Sequence, residues 1–92
     1  MAKRLIIKGR VQGVRYRVTF AETAIALGLA GWVRNRRDGS VEACVHGDDD
    51  AIAAVVNWAK RGPPAARVKD VVVTESEEPM PKNKQFEILD TQ

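Results

Sequence analysis

The spacing of apolar residues confines this chain to very few topologies. Tyr16, Phe20, Ala24 and Leu27 recur at helical intervals, and so do Ile52, Val55, Val56 and Ala59; each set makes one core-facing stripe. Short apolar runs flank both stripes and read as strands: Arg4 to Lys8, Gly31 to Arg37, Ser40 to His46 and Val68 to Glu75. The order is strand, helix, strand, strand, helix, strand. That order predicts a split βαβ arrangement in which two helices cover one face of an antiparallel sheet. A further run, Phe86 to Leu89, reads as a possible short fifth strand or an edge extension.

The punctuation between these elements agrees with the pattern. Gly28 suits the left-handed residue that closes the first helix. Asp38-Gly39 predicts a two-residue hairpin turn, with Val41, Ala43 and Val45 on one face of the strand that follows. Asp48-Asp49-Asp50 supply the cap and favourable dipole charges of the second helix, and Lys60-Arg61-Gly62-Pro63-Pro64 close it. The predicted class is α+β, a ferredoxin-like βαββαβ two-layer sandwich. With the third strand between the first and second, those two run parallel and end at the same sheet edge. Asn35 then falls near the loop after the first strand.

At 92 residues and 45% hydrophobic content the expectation is one domain over residues 1–92. Only Leu5-Ile6-Ile7 separates Arg4 from Lys8, which is too short for a signal-peptide core, and no apolar run approaches bilayer length. Cys44 stands alone, so an internal disulfide is excluded and a cytoplasmic location is expected. The net charge is only +3, but it is unevenly spread. Lys3, Arg4, Lys8, Arg10, Arg15, Arg17, Arg34, Arg36 and Arg37 face a single acid, Glu22, across the first 37 residues. This half should attract anions.

The loop Gly9-Arg10-Val11-Gln12-Gly13-Val14-Arg15-Tyr16-Arg17 carries the candidate chemistry. Arg15 and Arg17 stand where the first helix begins, the end at which the helix dipole disfavours cations. No Ser, Thr, Asp or Asn lies between Gly9 and Tyr16 to cap the free N–H groups, and two glycines allow the backbone to curl into a nest. A bound oxyanion, phosphate above all, resolves the conflict. A plain glycine turn with solvated arginines is the competing account of the same residues. For Asn35, whose carboxamide both donates and accepts, the two accounts are a water holder beside that anion and a residue that merely prepares the hairpin.

The loop, followed by Leu27-Gly28-Leu29-Ala30-Gly31-Trp32-Val33-Arg34-Asn35 and by Asp38-Gly39-Ser40-Val41-Glu42, resembles the signature of the acylphosphatases. The likeness runs on through Gly47 and Gly62-Pro63-Pro64-Ala65 into Val68 and covers nearly the whole chain. It implies an enzyme that hydrolyses acyl phosphates to a carboxylate and inorganic phosphate. In that reading Arg17 binds the phosphate, Asn35 positions the attacking water, and backbone groups of Gly9, Arg10, Val11, Gln12, Gly13 and Val14 form the cradle. Position 15 varies in the family pattern, so Arg15 is not carried over. The expected partners are an acyl phosphate substrate and inorganic phosphate as product and inhibitor, with no cofactor, metal, membrane or nucleic acid, and the chain is expected to be a monomer.

Other chemistries fit less well. The Asp triplet lacks an alternating ligand set and is accounted for by helix capping. No nucleotide P-loop spacing or G-x-G-x-x-G is present. Cys44 lies in a strand away from the glycine loop, His46 reads as a surface or hairpin residue, and Trp32 and Trp58 read as packing residues. Two rivals from other classes remain: a nucleic-acid-binding module of the same topology, which the scarcity of strand aromatics disfavours, and a noncatalytic anion-binding domain.

Overall fold

The computed structural model describes residues 1–92. Its elements are β1 (Ala2–Arg10), α1 (Tyr16–Ala26), β2 (Ala30–Asn35), β3 (Val41–His46), α2 (Asp49–Arg61), β4 (Arg67–Glu75) and β5 (Phe86–Ile88). They form one sheet of order β4-β1-β3-β2-β5. β3 pairs antiparallel with both β1 and β2, so β1 and β2 run parallel with β3 between them. The expected βαββαβ sandwich is therefore present. The sheet is mixed rather than purely antiparallel, because β5 joins β2 in parallel, with Gly31 opposite Phe86 and Val33 opposite Ile88.

The core lies between the sheet and the two helices. Leu5 and Ile7 of β1, Val33 of β2, and Val41, Ala43 and Val45 of β3 meet Tyr16, Phe20 and Ala24 of α1 and Ile52, Val55 and Ala59 of α2. At the seam between the helices Tyr16 and Trp58 lie 5.3 Å apart, and Phe20 sits edge-on to Trp58 at 5.8 Å. The Tyr16 hydroxyl donates to the Ala59 carbonyl at 2.7 Å, which satisfies its polar end inside the core. Burial pushes its phenol well above the ordinary range.

α1 closes as its glycine foretells. Gly28 takes φ +75°, its N–H donates to Ile25 and the Leu29 N–H reaches back to Ala24, which is the Schellman pattern. α2 begins at Asp48 in an extended conformation, but no side-chain cap bond forms there. The acids of that turn act through charge alone, Asp49 and Asp50 at the positive end and Lys60 and Arg61 at the negative end. The β2–β3 hairpin also differs from expectation. Its Arg36 N–H donates to Ser40 and its Gly39 N–H to Arg36, so the loop has three residues, with Gly39 at φ +94°. That is the turn in which a left-handed glycine follows a tight bend.

A second departure concerns the helix-free face. β4 and β5 lie at opposite edges, so the chain between them must cross the sheet. It crosses at Ser76 and Glu78: the Ser76 hydroxyl lies 3.5 Å from the Cys44 sulfur, and the Trp32 indole donates to Glu78 at 2.6 Å. His46, expected at the surface, is consequently 4% exposed, with its Nε2 3.5 Å from the Cys44 sulfur. Burial lowers the His46 pKa and raises that of Cys44, so a neutral imidazole and a protonated thiol are favoured there. No helix is long and apolar enough to cross a membrane.

Candidate active site

The segment between β1 and α1 wraps around a cavity of about 130 Å³ lined by Val11, Gly13, Arg15, Tyr16, Arg17, Val18 and Asn35. Three features of the chain build it. Gly13 takes φ +73° and Arg15 φ +64°, turning the backbone sharply enough to enter α1 without a capping residue. Gln12 holds this curl in place, its Nε2 donating to the carbonyls of Arg36 at 2.7 Å and Ser40 at 2.9 Å. Val11, 1% exposed, and Val14, 9% exposed, anchor the loop in the core.

The backbone accounting is one-sided. Arg15 is the N-cap of α1 and makes no side-chain cap bond, and no acid stands in the first turn. The first bond of the helical ladder is Thr19 N–H onto the Arg15 carbonyl. None of the N–H groups of residues 11 to 15 donates to a protein acceptor. A run of free donors at the positive end of a helix is a site for negative charge.

Side chains strengthen that bias. Arg15 and Arg17 both line the cavity, and neither pairs with a carboxylate. Each cation at this end of a helix costs about 0.3–1 kcal/mol, whereas a hydrogen bond from the half-buried Arg17 guanidinium to an anion returns about 1.5–3 kcal/mol. At Arg17, attraction to an anion therefore outweighs repulsion by the helix dipole. Arg17 Nη1 donates to the Leu89 carbonyl at 3.2 Å, which fixes its guanidinium from the chain that follows β5. Asn35 arrives from the end of β2, and its buried Oδ1 has no hydrogen-bond partner. Its own carbonyl accepts from Gln92 N–H at 3.0 Å, so the same terminal segment steadies both residues.

The structure brings Arg17, Asn35, Val11 and Gly13 to one cavity, and Gln12 beside it. Gly9 and Arg10 lie elsewhere, in β1 opposite Val68 and Arg67 of β4. Gly9 sits at the register shift of that ladder at φ +123°, and a Cβ there would stand 2.2 Å from the Arg67 carbonyl oxygen. This glycine is required by close strand approach. Sequence reasoning missed the Gln12 side chain, whose partners stand 24 and 28 positions away; it put Arg15 beside Arg17 at the anion loop, and only the family likeness left Arg15 out.

Free amides, two guanidiniums and an unsatisfied carboxamide, with no thiol, imidazole or carboxylate among the lining residues, equip a domain to seize a small oxyanion. Comparison with known proteins specifies which kind. The acylphosphatase family model matches residues 3–88. An acylphosphatase of Pyrobaculum islandicum is 51% identical over 88 residues, covering 95% of this chain and 92% of that protein. One from Thiobacillus denitrificans is 58% identical over 73 residues, covering 79% and 82%. The crystal structure of acylphosphatase from Bacillus subtilis superposes with a TM-score of 0.89 at 40% identity, covering 96% of this chain and 97% of that one. The chain belongs to the acylphosphatase family. Its activity is the hydrolysis of acyl phosphates.

Proposed function

We propose that the 130 Å³ cavity is the seat of the phosphoryl group, that Arg17 grips it and that Asn35 places the attacking water. The observation that carries this reading is the convergence of free loop amides, a tethered Arg17 and the unpartnered Asn35 Oδ1 on one cavity. The chemistry asks for little more. The acyl group leaves as a carboxylate, whose conjugate acid has a pKa of about 4, so no general acid is needed. The water oxygen bonds to phosphorus, the bond from phosphorus to the acyl oxygen breaks, and its electron pair departs on the carboxylate. Asn35 is no base at neutral pH; it accepts a hydrogen bond from the water, whose proton passes to a phosphate oxygen of the substrate. Directed amides and a planar guanidinium match the charge spread over the equatorial oxygens as it develops. Gly13 and Val11 frame the cradle, Gln12 holds it through the hairpin, and Val14 anchors it in the core. Gly9 and Arg10 set the strand from which it springs.

Product phosphate fits the same seat and is a competitive inhibitor. The reaction requires no metal and no cofactor. Residues 1–92 act as one domain and as a monomer. The unpaired Cys44 suits a reducing cytoplasm. Nucleic acid is a poor partner for the helix-free face, which is crossed by Ser76 and Glu78 and offers no free aromatic platform. Trp32 there is tied to Glu78 and lies 4.7 Å under Arg34.

Arg17→Lys tests the assignment. Lysine keeps the charge and loses the planar fork, so turnover collapses and inhibition by inorganic phosphate weakens. Parent-like kcat together with parent-like phosphate inhibition refutes the role of Arg17.

A further inference from the structure

Arg15 and Arg17 line one cavity but stand in different circumstances. Arg17 is half-buried and its guanidinium is bonded to Leu89. Arg15 is exposed, and its side chain makes no hydrogen bond or ion pair within the protein. Its side chain is the one lining guanidinium to which the reading above gives no contact with the phosphoryl group, and its backbone is left-handed at φ +64°, unusual for a residue with a side chain. With the phosphoryl group on the loop amides and Arg17, the end of a longer acyl portion extends out of this open cavity toward solvent. Of the two arginines that line the cavity, Arg15 is the exposed one and its guanidinium has no protein partner, and no carboxylate is among the lining residues.

We propose that Arg15 recognises a second negative charge on the acyl portion, so that acyl phosphates of dicarboxylic acids and other anionic acyl groups are preferred over neutral ones. The proposal rests on the cavity being the phosphoryl seat. A guanidinium at an exposed rim makes a charge-assisted contact with a carboxylate, and such a pair changes affinity by about fivefold. The contact forms with the part of the substrate that does not react, so it acts on KM more than on kcat. Salt weakens it, because the pair is open to solvent.

Succinyl phosphate and butyryl phosphate share a four-carbon acyl chain, differ by a remote carboxylate in place of a methyl group, and are the probes. Their kcat/KM values are compared for the parent chain, Arg15→Asn, which tolerates the left-handed backbone, and Arg15→Lys, which keeps the charge. The expected result is a succinyl preference in the parent that declines with added salt. In Arg15→Asn the ratio falls by about fivefold through KM, and Arg15→Lys retains most of it. A ratio that is the same in parent and Arg15→Asn overturns the proposal. Equal losses on both substrates, with weaker phosphate inhibition, also overturn it by placing Arg15 on the phosphoryl group, and they leave the seat intact. Phosphate inhibition that survives Arg17→Lys unaltered overturns the seat and this proposal together.

Discussion

Replacing Asn35 with alanine should leave the stability of the protein almost unchanged and its activity nearly abolished. Asn35 Oδ1 has no partner within the protein and lines the cavity, so its acceptor is left for water or ligand. Alanine therefore breaks no hydrogen bond of this atom to the rest of the protein. It also forfeits little packing, since the side chain borders a cavity rather than filling the core. The stability change should stay within about 0.5 kcal/mol, which for a domain of this size is a shift in Tm of at most about 4 °C. Loss of one preorganised polar group at the reacting atoms should lower kcat about 10²-fold or more. Inorganic phosphate should still raise the Tm of the variant, because the amides and Arg17 remain. Thermal unfolding followed by circular dichroism, with and without phosphate, is measured beside acetyl phosphate hydrolysis. A variant that loses activity and also melts well over about 4 °C below the parent would show that Asn35 supports the hairpin, and the reasoning would fail. Loss of the phosphate-induced shift would make Asn35 a ligand anchor instead of a water holder.

Two further perturbations probe the frame around the site. Glu42 is 4% exposed and bridges Arg4, at 2.7 Å from Nε, and Arg34, at 2.8 Å from Nε. Burial raises its pKa, but the hydrogen bonds and charges of the two arginines outweigh it and hold the carboxyl below its ordinary value. A depressed folded-state pKa contributes stability above the unfolded-state value of about 4.3, and that stability is lost as pH falls through the folded value. Glu42→Gln should therefore cost about 1–3 kcal/mol at pH 7, with the gap to the parent narrowing below about pH 4 in urea titrations. A gap independent of pH refutes the account. Gly9→Ala places a methyl against the Arg67 carbonyl in a left-handed backbone and should destabilise by about 1–3 kcal/mol, while phosphate inhibits the folded fraction as it does the parent. Unchanged stability with weakened phosphate inhibition would instead put Gly9 in the cradle.

Local patterning carried most of the fold into view. The stripes of Tyr16, Phe20 and Ala24 and of Ile52, Val55 and Ala59 emerge as the buried faces of α1 and α2, because a helix repeats its contacts every three to four residues whatever lies beyond it. Gly28 closes α1 for an equally local reason: only the left-handed conformation satisfies the last carbonyls. The loop motif, the arginines at a helix start without a cap, and Asn35 at the end of a strand that runs parallel to β1 were all readable from order and spacing. So was the family likeness.

Whatever depends on residues far apart in the chain was decided by packing. Asp48 heads α2 without a cap bond, and Asp38-Gly39 sits in a three-residue loop, since neighbouring strands and helices set the backbone there. His46 and Cys44 are buried because the chain must cross from β4 at one edge to β5 at the other, a path that alternation along β3 cannot reveal. Gly9 answers to Arg67, Gln12 to Arg36 and Ser40, and Arg17 to Leu89. Residue type and spacing express conformational preferences that act within a turn or two. Steric fit, burial and the pairing of distant polar atoms exist only once the sheet has closed.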